Sequence, residues 1–129
     1  SKGYQVTAVD KNPKSIGRKF ASNFYELSNR DINGIDCLIK DFSKKGNSVT
    51  GIFLMGADIP HIAAELCNRN NLPAISLQSA KIAQNKILMK NTFLNSHIPI
   101  PAFHLINNID QLKNLILKYK KVVITPSDS

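Results

Sequence analysis

Residues 49–60, which read VTGIFLMGADIP, decide the fold class of this chain. Positions 49–55 form a nearly uninterrupted apolar run, which is typical of a strand buried on both faces of a parallel sheet. A short loop follows at 56–58, and Pro60 fits the first turn of a helix. Because Asp58 stands just before that turn, we predict that its side chain caps the helix. The stretch therefore predicts one strand–loop–helix unit of an α/β sheet.

The rest of the chain alternates between predicted strands and predicted helices. The predicted strands are 4–9, 24–27, 49–55, 72–76, 103–106 and 122–124. The predicted helices are 31–45, 59–67, 79–95 with a break near Asn85, and 109–119, which begins near Asn108 or Asp110. This alternation predicts parallel strands joined by right-handed crossovers. The prolines at 99 and 101 stiffen a connector, which predicts a domain boundary near 97–101.

The composition is that of an ordinary globular protein. The 129 residues are 43% hydrophobic and 20% charged, and no apolar run approaches the length of a membrane helix, so no membrane partner is expected. Seventeen basic residues against nine acidic ones give a net charge of +8. Since the lysines are spread along the chain and only three residues are arginine, we expect solvated surface lysines and no nucleic-acid partner.

The two cysteines, Cys37 and Cys67, both lie in apolar helical stripes and are predicted to be reduced core thiols. The sequence has no CxxC motif, and its three histidines are scattered, so no metal ligands are predicted. With no signal peptide at the start of the sequence, a cytoplasmic location is expected.

Two candidate binding positions lie at the ends of predicted strands. Asp10 ends the first strand, where an acid can accept a hydrogen bond from a ribose hydroxyl; a solvated turn aspartate is the alternative. Gly56, Ala57 and Asp58 follow the strand at 49–55, and ligands of open α/β sheets bind at such ends. The alternative for this loop is a capped helix start without a ligand.

Two further candidates lie in the second half of the chain. Lys81, Lys86 and Lys90 fall on a predicted helix, where Lys86 either contacts a phosphate or belongs to a solvated face. After the last predicted strand, residues 126–129 read PSDS, and the small polar residues there could begin a loop that holds phosphate, or form an ordinary chain terminus.

Six short runs of the sequence, taken in order, resemble the N-terminal part of ATP-grasp ligases. The runs are VTAVDKNP (6–13), GIFLMGADIP (51–60), LPAIS (72–76), KILMK (86–90), IPIP (98–101) and VVITPSDS (122–129). The family includes carbamoyl-phosphate synthase large chains, biotin carboxylases and the carboxylate–amine ligases of purine biosynthesis. At two positions the chain departs from the family: Thr125 stands where Lys or Arg is usual, and Asn85 where Asp is usual.

The resemblance implies a Rossmann-like pre-ATP-grasp domain over residues 1–96, lacking its first strand, and the start of an ATP-grasp domain over 97–129. It implies an enzyme that uses ATP and Mg²⁺ to turn a small-molecule carboxylate into an acyl phosphate, which an amine or other nucleophile attacks. Asp10, Gly56, Ala57 and Asp58 would bind substrate. Lys86, Thr125, Ser127 and Ser129 would bind ATP.

The resemblance implies no catalytic residues and no metal ligands in this segment. They would lie in the remainder of the ATP-grasp chain, which is the expected partner of the segment. The segment alone is therefore not expected to turn over substrate, and a homodimer is left open. The alternative function is a non-catalytic Rossmann-like module that binds a nucleotide or a partner protein.

Overall fold

A computed structural model describes residues 3–127 as a mixed α/β protein with a two-stranded parallel sheet and five α-helices. The chain forms two compact units, Ser1–Ile75 and Ser76–Ser129. Both strands and the first two helices lie in the first unit, and three helices lie in the second. The predicted α/β class is confirmed at this level, and the domain boundary near 97–101 stays a prediction.

The sheet consists of β1 (Thr7–Asp10) and β2 (Asn23–Glu26), joined by a short 3-10 helix at Ile16–Phe20. The strands are parallel, with Thr7 opposite Asn23 and Asp10 opposite Glu26. Both strands were expected from the sequence within one to three residues at each end. Their parallel order places Asp10 and Glu26 at the same edge of the sheet.

The helix α1 (Ile32–Lys44) has the capping that its sequence predicts. The Asp31 carboxylate accepts a hydrogen bond from the N–H of Gly34 at 3.0 Å, which satisfies one of the free donors of the first turn. Gly46 follows the helix with φ +79°, a left-handed conformation that glycine adopts without strain. The prediction of a helix over 31–45 is therefore confirmed.

The core of the first unit lies where α1 meets α2 (Pro60–Arg69). Its centre consists of Ile59, Ile62 and Leu66, none of which is more than 5% exposed. Partly buried apolar side chains from α1 and from the chain before α2 pack around it; they are Ile32, Ile35, Ile52, Leu54 and Ala57.

The apolar run at 49–55 packs against this core but does not form a strand. Ile52 and Leu54 are half-buried in the core, whereas Phe53 and Met55 are 83% and 82% exposed. The side chains thus alternate as they do in a strand, but none of the strands within residues 3–127 pairs with this backbone. The prediction of a doubly buried strand here is wrong, and so are the predicted strands at 72–76, 103–106 and 122–124.

The second unit contains α3 (Leu77–Gln84), α4 (Lys86–Asn95) and α5 (Ile109–Tyr119). The backbone of Asn85 is extended, with φ −105° and ψ 108°, and this breaks the run into two helices as predicted. Asn108 caps α5 by accepting a hydrogen bond from the N–H of Gln111 at 2.9 Å, which confirms the predicted start. In the part of the chain described, no helix combines the length and apolar content needed to cross a membrane.

Candidate functional site

Asp10 lies at the carboxyl end of β1, and its carboxylate turns back into the following loop. Oδ1 accepts a hydrogen bond from the N–H of Asn12 at 2.9 Å. This bond, a second one from the Ser15 side chain and the charge of Lys11 hold the pKa of Asp10 below its usual range. Asp10 is therefore an anion at neutral pH, at the edge of the sheet where Glu26 also lies.

The three residues of the loop Gly56–Asp58 have different environments. Gly56 is exposed with φ +65°, Ala57 packs against the core, and Asp58 is exposed. Among residues 3–127, Asp58 makes no hydrogen bond or ion pair, and none joins this loop to Asp10. The candidate substrate-binding residues of the first unit are thus not linked directly by polar contacts.

The prediction that Asp58 caps α2 is wrong. The N-cap is Ile59, which is 1% exposed and provides no side-chain cap, and Pro60 is the first helical residue. Burial of Ile59 fixes the chain just before the helix, and the ring of Pro60 sets φ for its first turn. The helix therefore begins one residue later than a cap at Asp58 requires.

Two of the four candidate ATP-binding residues, Lys86 and Ser127, meet through their backbones at the start of α4. The backbone N–H of Lys86 donates to the carbonyl oxygen of Ser127 at 2.8 Å, although the two residues are 41 positions apart. Thr125 lies two residues before Ser127 and is exposed, as is Ser127 itself. Ser129 lies outside the described residues.

The backbone donors at the start of α4 are all used within the protein. Asn85 Oδ1 accepts from the N–H groups of Ile87 and Leu88 at 3.0 and 2.9 Å, and the N–H of Asn85 donates to the carbonyl of Ile82 at 3.2 Å. The N–H of Lys86 is held by the C-terminal segment, as described above. Because the four free donors of a helix start are satisfied, an anion at this helix start would depend on side-chain donors such as the Lys86 ammonium group.

These residues fit phosphate but do not fit Mg²⁺. A lysine ammonium and serine or threonine hydroxyls are donors that bind phosphate oxygens, whereas Mg²⁺ requires oxygen ligands, commonly carboxylates. Within residues 3–127, no group of three His, Cys, Asp or Glu side chains is placed to hold a metal ion. The described acid of the second unit, Asp110, lies 3.2 Å from the Lys113 ammonium.

The two cysteines have opposite environments. Cys67 is 2% exposed, and burial raises the pKa of its thiol, partly offset by a hydrogen bond with the backbone of Ile52. Cys37 is exposed, so the prediction that it lies in the core is wrong. The buried face of α1 contains Asp36 and Ile39, and Cys37 lies about 100° around the helix from Asp36.

A polar cluster between α1 and α2 was not singled out from the sequence. The buried Asp36 carboxylate accepts from the Lys40 ammonium at 2.6 Å and from the Asn70 amide at 2.8 Å. Chiefly these two bonds, the one from Lys40 first, hold the pKa of Asp36 below its usual range. The Arg69 guanidinium also donates to the Asn33 amide oxygen on α1 at 3.1 Å. The cluster links the two helices, and its only signal in the sequence is an acid on the apolar face of a predicted helix.

Comparison of the chain with known protein families, with characterised proteins and with solved structures gives no match. The six sequence runs and the geometry of the site are therefore the basis of the functional proposal.

Proposed function

We propose that this chain is the N-terminal portion of an ATP-dependent ligase that activates a carboxylate as an acyl phosphate for attack by an amine or other nucleophile. The proposed fold is a Rossmann-like parallel sheet followed by the first elements of an ATP-grasp domain. The observation that carries the proposal is the bond between Lys86 and Ser127, since it joins two distant segments that the resemblance assigns to ATP.

In this proposal, Lys86 provides the positive charge that orients a phosphate group. When bound, ATP would supply the phosphoryl group that the carboxylate takes up. Thr125 and Ser127 are exposed residues with hydroxyl groups of the kind that bind phosphate oxygens, and the Ser127 backbone lies at the start of α4. Because the backbone donors of α4 are occupied, removal of the Lys86 charge is expected to affect binding strongly.

The acids of the first unit suit the nucleophile better than the carboxylate substrate. Asp10 is ionised at neutral pH, and Asp58 is an exposed acid with no partner among the described residues. An anionic side chain attracts an ammonium group and repels a carboxylate. We therefore assign Asp10 and the loop Gly56–Asp58 to the amine substrate.

The proposal is tested by titrating the chain with ATP in an isothermal calorimeter, with and without Mg²⁺. Lys86→Gln removes the charge and keeps a polar side chain that is one atom shorter, and we expect it to raise the Kd for ATP about tenfold, which corresponds to about 1.4 kcal/mol. The matched control is Lys113→Gln, because Lys113 is a lysine of the same unit that is paired with Asp110. Absence of ATP binding, or equal affinities of the Lys86 and Lys113 variants, would overturn the assignment.

The same titration separates the ligase from the alternative, a Rossmann-like binding module. In such a module, Asp10 would accept a hydrogen bond from a ribose hydroxyl. Asp10→Asn would then weaken binding of NAD or ATP, and Lys86→Gln would not. Dependence of ATP binding on Lys86, with no effect of Asp10→Asn, is the result that the ligase proposal expects.

A further inference from the structure

A groove of about 550 Å³ lies between α3 and α4. Its volume falls within the range of about 300–1,000 Å³ that small-molecule sites occupy. Residues spaced by four positions line each wall, as expected on one face of a helix. They are Leu77 with Lys81 and Gln78 with Ile82 on α3, and Leu88 with Thr92 on α4.

The groove combines apolar walls with one charged group. Leu77 and Ile82 are half-buried, and Leu88 is 50% exposed, so apolar surface faces the opening. The Thr92 hydroxyl donates to the carbonyl of Leu88 at 2.8 Å and is already satisfied. The ammonium of Lys81 makes no hydrogen bond or ion pair within the described residues, so its charge is available to a ligand.

The charges around the groove determine whether it favours an anionic or a cationic ligand. Residues 76–129 contain seven lysines and two acids, Asp110 and Asp128. Asp128 lies outside the described residues, and Asp110 is paired with Lys113. A second cavity, of about 320 Å³ between β2 and α1, is lined by the acids Glu26 and Asp41, of which Asp41 is paired with Lys44. Electrostatic complementarity therefore favours an anion in the groove and a cation in the other cavity.

We propose that the groove between α3 and α4 binds a small carboxylate with an apolar body, its carboxylate at Lys81 and its apolar part against Leu77, Ile82 and Leu88. This site is separate from the contact between Lys86 and Ser127. It does not rest on the proposed ligase function, and failure of ATP binding would leave it standing.

The test is a titration of the ¹⁵N-labelled chain with decanoate, followed by amide chemical shifts so that the affected helices are identified. We expect shifts in α3 and α4. Lys81→Gln should raise the Kd for decanoate about fivefold, which corresponds to about 1 kcal/mol for an exposed ion pair. The control Lys113→Gln should leave that Kd unchanged. Decanol, which has the same chain without the charge, should bind the unmodified protein and the Lys81 variant equally.

A second variant tests the apolar wall. Leu88→Ser removes apolar surface at a side chain that is 50% exposed and outside the core, so we expect the fold to be retained and the binding of decanoate and decanol alike to weaken about tenfold. The proposal is wrong if decanoate shifts other parts of the chain, if Lys81→Gln leaves its affinity unchanged, or if decanol binds the unmodified protein as tightly as decanoate. Binding to phosphatidylserine vesicles without binding of free decanoate would instead identify a lipid surface and would also overturn it.

Discussion

The two thiols should react with alkylating reagents at very different rates in the folded protein. Cys37 is exposed on α1, whereas Cys67 is 2% exposed on the core side of α2. A reagent reaches Cys67 only when α2 separates from the core formed by Ile59, Ile62 and Leu66. We therefore expect iodoacetamide to modify Cys37 rapidly and Cys67 slowly.

The size of the difference follows from the free energy of that opening. Core elements of a protein open with free energies that approach its global stability, about 5–15 kcal/mol. At about 5 kcal/mol, the open form is about 1 molecule in 5,000, and Cys67 would react slower by that factor. The raised pKa of its thiol lowers the thiolate fraction further while the helix is closed.

Mass spectrometry of tryptic peptides after timed alkylation measures both rates in one sample. The denatured chain is the control, because in it the two thiols should react at comparable rates. Cys37→Ser changes only an exposed position and should leave a protein whose remaining thiol is protected. Alkylation of Cys67 within about tenfold of the Cys37 rate, with the helical circular dichroism retained, would refute the burial of Cys67.

Two further substitutions test the cap of α4 and the polar cluster. Asn85→Ala removes the acceptor of the Ile87 and Leu88 N–H groups and should lower the free energy of unfolding in urea by about 1 kcal/mol. Asn85→Asp keeps the acceptor and should retain stability, so equal losses in both variants would argue against the cap. Folding lowers the pKa of Asp36, so the ionised carboxylate stabilises the folded state above about pH 4. This stabilisation is lost as the pH falls through the pKa that Asp36 has in the folded protein. The melting temperature of Asp36→Asn should therefore fall less steeply between about pH 4 and pH 2 than that of the unmodified chain, whereas the control Asp58→Asn should follow the unmodified chain. Identical slopes of melting temperature against pH for all three proteins would contradict this role of Asp36.

The helices were predicted well because their signals are local. The spacing of Ile32, Ile35 and Ile39, the cap at Asn108 and the break at Asn85 are each contained within one or two turns. Intrinsic propensity and capping act over the same distance. These parts of the fold could therefore be read from the sequence alone.

The strands were predicted poorly because a strand depends on a distant partner. The run at 49–55 has the composition of a strand and alternates its side chains like one, yet its backbone pairs with neither β1 nor β2. Strand propensity reflects a fit to a neighbouring pleated surface more than a preference of the backbone. A sequence pattern can report that fit only when the neighbouring surface is known.

The candidate sites, like the strands, depend on contacts between residues that are distant in the sequence. The approach of Ser127 to Lys86 spans 41 residues, and the family resemblance, not local patterning, suggested that both belong to one site. The groove between α3 and α4 arises from the turn at Asn85, which sets the two helices against each other. The sequence predicted only a solvated face for its charged residue, Lys81. The charge can contribute to a binding site only together with the apolar wall on α4, and the sequence pattern around Lys81 does not show that wall.

The net charge of +8 suggested lysines spread evenly over the surface, but the acidic residues that pair with basic side chains are distributed unevenly between the two units. Seven of the nine acids lie in the first unit, where Asp36 and Glu65 are paired with basic side chains and Asp31 caps a helix. In the second unit, Lys81 and Lys86 have no acidic partner among the described residues. A polyanion held by many lysines would lose affinity steeply as the salt concentration rises. The slope of the logarithm of the binding constant against the logarithm of the salt concentration would be near the number of phosphates neutralised. One lysine at each proposed site predicts a slope close to one instead, so salt dependence separates two small anion sites from a nucleic-acid surface.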